Sequence, residues 1–215
     1  MSNLNLLRLL HLADSALPIG ALAHSFGVET MIGEGSLVLS DLFPFLKNLL
    51  TESLLLDAVF CRCAYRRSFC KDMGDLNSEL SAFKLARESR DASLAMGRRF
   101  VSLVGSLELG ITAELDDSHF AVAFGYASGI LSLGIEETVG AFLHQSVTAT
   151  ISACQRLLRL GQSEAGEMLW DLKPFILDAV SNSDGVSLER AGSFVHLPEL
   201  SSMRHPMMPT RLFLS

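Results

Sequence analysis

The sequence predicts an all-α protein, a single-domain helical bundle with an irregular C-terminal tail. Leu and Ala dominate a composition that is 49% hydrophobic and only 19% charged, which suits a large core built from good helix formers. Apolar residues recur at helical spacing over long stretches, and no run alternates with the period of a strand. The 6 prolines are thinly spread over 215 residues, so breaks are few, and a chain of this length suits one domain better than two.

The elements follow in order. Leu4 to Ala13 reads as a short helix, stopped by the turn-prone Leu17-Pro18-Ile19-Gly20. A second helix covers Ala21 to Ile32, ended by Gly33 and Gly35. Ser40 is placed to cap a third, with Pro44 in its first turn. In it Leu42, Phe45, Leu46, Leu49, Leu56, Val59 and Phe60 keep helical register, and it runs to about Ser68. Asp75 to about Leu107 reads as another long helix, with charges crowded in its middle. Asp116, Asp117 and Ser118 open a helix that Gly134 ends, and Glu136 and Glu137 begin the next, acids at the positive end of each dipole. That second helix closes with Arg156, Arg159 and Gly161. A last helix spans Ser163 to Ser181, where Pro174 should bend or break it. Residues 1–181 thus form a helical body. The segment 182–215, with Pro198, Pro206 and Pro209 and no sustained period, reads as a largely irregular tail.

Two of these stretches, Ser118–Ile135 and Thr138–Gln155, carry no permanent charge and are about as long as a membrane span. Gly125 and Gly129 even match the pairing motif of membrane helices. Yet His119, His144, Gln145, Ser146, Thr148, Thr150 and Ser152 lie within them, and basic clusters and aromatic belts are missing from their flanks. A helix hairpin buried inside the protein or at a dimer interface explains the pattern, and no membrane is expected. Substitution of Gly125 by leucine should then overpack a close helix contact.

Composition also excludes function classes. The net charge of −7 argues against nucleic acid, whose phosphates need a basic face. Cys61, Cys63, Cys70 and Cys154 lack zinc-ribbon spacing and read as free thiols. The first residues, Met1-Ser2-Asn3-Leu4-Asn5, lack a basic start and apolar run. Both features fit a reducing cytoplasm. No phosphate-binding Gly-x-x-x-x-Gly-Lys-Ser/Thr loop, Gly-x-Ser-x-Gly elbow or His-Glu-x-x-His pair is present, and the six histidines are scattered. We therefore expect no enzyme, no catalytic residues, no resident cofactor and no metal ligands.

What remains points to binding. In Arg87-Glu88-x-Arg90-Asp91 the acids and arginines pair along one helix, and such a patch could be read by an acidic protein partner. The run Met203-Arg204-His205-Pro206-Met207-Met208-Pro209-Thr210-Arg211-Leu212-Phe213 carries adaptable Met side chains and a Leu-Phe pair, unlike a frayed polar terminus. From the residues alone, the reading is a helical, dimeric protein-binding module of unspecified partner.

The order of motifs narrows this. Leu12-Ala13-Asp14-Ser15-Ala16-Leu17-Pro18-Ile19-Gly20 leads into His24-Ser25-Phe26-Gly27-Val28-Glu29. Arg87-Glu88-x-Arg90 with Met96-Gly97 follows, then Phe120-Ala121-x-Ala123, Gln155-Arg156-Leu157-Leu158-x-Leu160-Gly161-Gln162, and the ending Ser202-Met203-Arg204-His205 … Arg211-Leu212-Phe213-x-Ser215. In this order the motifs resemble the UreF family of urease accessory proteins over nearly the whole chain. The resemblance implies an all-helical homodimer that joins a UreD/UreH-type protein to the GTPase UreG, so that nickel reaches the urease apoprotein. Nickel would be handled transiently by the complex. It also implies that His24, Ser25, Gly27 and Glu29 shape a partner or dimer face, and that Arg204, His205, Arg211, Leu212 and Phe213 contact UreD/UreH. On that basis Phe213→Ala should weaken partner binding with melting unchanged. The chain departs from the family at Pro206 and Leu214, where an acid and a polar or basic residue are common; the proline also removes a backbone donor.

Overall fold

In a computed structural model, residues 2–69, 73–107, 115, 117–186, 188 and 196–215 are described; Cys70 and Asp116 lie outside them. The helices are α1 (Asn3–Leu12), α2 (Val28–Gly33), α3 (Leu42–Thr51), α4 (Ser53–Arg66), α5 (Gly74–Phe83), α6 (Arg87–Ser106), α7 (Phe120–Ile130), α8 (Ile135–Leu157), α9 (Gln162–Asp171), α10 (Lys173–Asp184) and α11 (His196–Arg204). Short 3-10 turns lie at Ala21–Ala23, Leu39–Asp41 and His205–Met207, and no strand occurs among the described residues. The all-α expectation holds.

The charge-free α7 is the centre of the bundle. Every residue from Phe120 to Gly129 is buried, between α4, α6 and α8. Phe100, Phe120, Phe124 and Phe142 meet there, with ring centroids 5.4–5.8 Å apart, the offset and edge geometry that aromatic quadrupoles favour. A helix enclosed on all sides needs no polar face, which explains the missing charges. No helix among the described residues is long and apolar enough to cross a membrane. Along one side of α7, Gly125 faces the Cys61 backbone of α4 and Gly129 faces Tyr65 and Ser68. The two glycines thus let α4 and α7 pack backbone to backbone.

Several expected helices are divided. The helix expected to run from Ser40 to Ser68 breaks at Glu52, whose φ of −126° and ψ of −93° separate α3 from α4. Ser40 does not cap α3; its hydroxyl donates to Asp41 instead. The helix expected from Asp75 to Leu107 opens at Lys84–Ala86, where Lys84 leaves the helical region and Ala86 is extended. Lys84 there is drawn inward to Asp57 of α4, with Nζ 2.8 Å from Oδ1. Ala21–Ile32 is interrupted at residues 24–27, where Phe26 and Gly27 have φ of 50° and 86°. Pro174 acts as expected, starting α10 within its first turn after α9 ends. The segment 182–215 is irregular only in part, since α11 and the turn that follows it are helical.

Arg62 ties three helices together from inside. It is 1% exposed, pairs bidentately with Glu136 of α8 at 2.6 and 2.7 Å, and donates to Ser183 and the Val180 carbonyl of α10. Glu136 accordingly titrates below the usual carboxylate range, chiefly through that hydrogen bond. Arg62→Ala should cost about 2 kcal/mol in urea unfolding, less than a fully buried pair because half-exposed Glu136 regains water. An unchanged midpoint would show that the network is replaceable.

His119 is wholly buried just before α7. Its Nδ1 lies 3.0 Å from Ser93 Oγ and its Nε2 2.8 Å from Ser81 Oγ, while Asn77 Oδ1 accepts its backbone N–H. Burial, helped by Lys84 and Arg90, lowers its pKa from 6.5 to about 3. The folded protein therefore refuses a proton that the unfolded chain accepts, so this contribution is complete above 6.5 and drains away as pH falls toward 3. His24 and His144 are shifted the same way, mainly by burial. Urea stability should decline with acid across that window, and His119→Asn should flatten the slope by up to about 1.4 kcal/mol per pH unit. A variant with the wild-type slope would refute the assignment.

Candidate functional site

The opening motif, the start of α6 and the end of the chain meet in one seam. Gly20 and Gly27 have φ of 80° and 86°, a left-handed backbone that glycine adopts without strain. α11 also packs against Gly27, where any Cβ would overlap the Pro198 carbonyl oxygen. These turns direct His24, Ser25 and Glu29 toward the tail.

Glu29 is the anchor. It is 3% exposed, and its carboxylate lies 2.7 Å from His205 Nε2 while accepting the backbone N–H groups of Leu212 at 2.6 Å and Phe213 at 3.2 Å. One buried carboxylate thereby satisfies donors that the irregular tail cannot satisfy itself. Ser25 adds a second clamp: its N–H and hydroxyl both donate to the Ser215 carbonyl, at 2.6 and 2.9 Å. His24 Nδ1 is 2.8 Å from Ser215 Oγ, and Leu214 N–H donates to the Ala23 carbonyl. Phe213 is buried with the Arg156 guanidinium over its ring, 5.6 Å from the centroid.

The start of α6 completes the seam. Glu199 of α11 accepts the Ala86 N–H at 2.6 Å, placing a carboxylate at the positive end of α6. Ser89 donates to Ser202. Arg87 is exposed and pairs with Asp91, while Arg90 reaches back to the Lys84 carbonyl. Arg87, Glu88 and Asp91 border a shallow depression that also touches His24, Leu214 and Ser215. Arg204 is exposed and paired with Glu34, and Arg211 and Leu212 are exposed. The candidate residues from three distant motifs therefore form one continuous region. Arg211 and Leu212 face outward, while His205 and Phe213 face inward. Pro206 lies exposed in the 3-10 turn, directly after His205, and makes no contact of its own with the Glu29 carboxylate.

Sequence reasoning missed Glu199 and gave Ser202 and Ser215 no role beyond membership of the terminal motif, because each acts on residues more than a hundred positions away. It also misplaced Phe213. A buried ring cannot be removed without loss of packing, so Phe213→Ala should lower stability by about 2 kcal/mol, short of the ~3–5 kcal/mol of a deep core site. Melting unchanged from the intact protein would return Phe213 to the set of purely surface contacts. Among the described residues no group of three or more His, Cys, Asp and Glu side chains could hold a metal ion. Burial raises the thiol pKa of Cys61 and Cys63, and takes Cys154 up to about 12, so these cysteines are held as neutral thiols. The seam is built to hold polypeptide.

A family model, UreF, matches residues 40–173. A urease accessory protein UreF of Nostoc sp. is 33% identical over 218 residues, covering 97% of this chain and 95% of that relative. The chain belongs to the UreF family. The UreF protein of Lachnoclostridium phytofermentans is 32% identical across 97% of this chain and 98% of its own length. That of Geobacillus kaustophilus is 29% identical, with both chains covered in full. UreF proteins are accessory proteins of urease and not enzymes.

Proposed function

We propose that this protein is a non-catalytic scaffold in the maturation of nickel urease. It acts as one domain in a cytoplasmic homodimer, joining a UreD/UreH-type protein to the GTPase UreG and presenting both to the urease apoprotein. Nickel is cargo of the assembled complex and no cofactor resides in the chain. The observation that supports this reading best is the way the tail is held. Residues 208–215 have no helix of their own and are fixed by hydrogen bonds to Glu29, Ser25 and His24. Beside them Met207, Leu212 and Leu214 are 83%, 68% and 67% exposed. A segment with polar clamps on one side and uncovered apolar groups on the other suits docking to a second protein.

Co-purification with UreD/UreH and UreG from the same organism tests the proposal, using the intact chain and a chain cut before Arg204. Capture of both by the intact chain, with UreD/UreH lost on the cut, is expected. Capture of neither would overturn the scaffold reading and leave a helical binding module with another partner.

A further inference from the structure

Behind the seam lies an internal chamber of about 100 Å³ that receives Ser25 and Phe26, Pro198 of α11, and Gln145 of α8. Its polar groups are unusually placed. Gln145 is 3% exposed, and both its amide nitrogen and its amide oxygen lack a hydrogen-bond partner among the described residues. His24 also borders the chamber, and its buried Nε2 has no hydrogen-bond partner among the described residues. Buried amides and imidazoles left unpaired are costly. A donor and an acceptor on one side chain, set against a second nitrogen, call for an occupant that offers both functions.

The surroundings restrict that occupant. Phe26, Val28, Met96, Phe120 and Phe142 contribute apolar wall, and the two carboxylates that also line it are engaged, Asp57 by Lys84 and Glu199 by the Ala86 N–H, so an ion is penalised. The one lysine at the chamber, Lys84, is already paired with Asp57 at 2.8 Å, so an anion finds no uncommitted cation there. Water needs ~10–15 Å³ per molecule by the same measure, so the space holds a compact molecule of several heavy atoms.

We propose that the chamber is a binding site for a small uncharged molecule of the carboxamide class. The ligand pairs its C=O and N–H with the Gln145 amide and presents a polar edge to His24. Ser25 and Pro198 belong both to the chamber wall and to the tail seam, so occupancy favours the docked tail. The binding step rests on the chamber alone; only its consequence for partner docking rests on the scaffold reading.

The test uses the isolated full chain with no partner, so its failure leaves the scaffold proposal standing. The chain has glutamine only at positions 145, 155 and 162, so side-chain ¹⁵N labelling of glutamine gives a readily assigned spectrum. Titration with acetamide should shift the Gln145 amide signals saturably, with a dissociation constant on the order of millimolar for so small a probe. Gln155 and Gln162 should stay in place, acetate should have no effect, and a Gln145→Leu chain that remains folded by near-UV circular dichroism should not bind. Acetamide should also slow amide exchange at Leu212 and Phe213. Shifts that never saturate, or that affect all three glutamines alike, would overturn the site. Saturable binding without slower tail exchange would overturn the coupling.

Discussion

Gly125→Leu will cost the protein about 4 kcal/mol or prevent folding outright, which exceeds ordinary overpacking. The reason is the atom that a side chain would meet. A Cβ at position 125 would overlap the carbonyl oxygen of Cys61, with that residue's Cα close behind. These are backbone atoms inside α4, and they cannot rotate aside as a flexible side chain would. Both helices would have to separate along the most buried contact of the bundle, taking the Phe100–Phe120–Phe124 cluster with them. A thermal melt should fall by roughly 10 °C if the variant folds. Gly105 on α6 is the control, since nothing lies within 4 Å of a Cβ built there, and Gly105→Ala should hold or slightly raise stability. Equal melting of the Gly125 variant and the wild type would mean that α4 and α7 do not pack as described.

Glu29→Ala will release the tail, at a local cost of about 3 kcal/mol, while the body stays folded. The carboxylate serves His205, Leu212 and Phe213 together, so its loss strands three donors at once, two of them buried. The chain escapes that penalty by letting residues 205–215 swing into water, which is cheaper than leaving the donors unpaired. The expected signature is rapid proteolysis within the tail, with only a small change in the global urea transition. Glu29→Gln keeps an acceptor but loses the charge, and should fall between. A tail that stays protected in Glu29→Ala would show that Ser25 and Phe213 hold it unaided.

The helices were legible where local chemistry sets them. Pro174 and the uncharged run at Phe120–Ile130 act in the structure as their residue types demand, whereas Gly134, expected to end that helix, instead precedes α8 while α7 already ends at Ile130. The breaks at Glu52 and Lys84 were not, because apolar spacing continues across both. The break before α6 is held by partners elsewhere in the chain, Lys84 by Asp57 and the Ala86 N–H by Glu199. The site divides in the same way. Glu29, Ser25 and His205 were visible as motif residues, yet nothing local joins position 29 to 213. Phe213 read as a docking aromatic because a Leu-Phe pair near a terminus has no covering element in its own segment. The fold supplies one in Arg156 and the opening motif. Gln145 counted only as a polar residue against a membrane span, and Arg62 left no signal, both being single polar residues within helices whose burial depends on three-dimensional packing.

The account rests most directly on the tail being held by Glu29 in the free protein, and amide hydrogen exchange at Leu212 and Phe213 measures that state. It predicts exchange slowed by about a hundredfold or more relative to an unstructured peptide, as expected for a local opening that costs about 3 kcal/mol, with the protection lost in Glu29→Ala. Exchange of both amides at unstructured rates in the wild-type chain would contradict the docked seam.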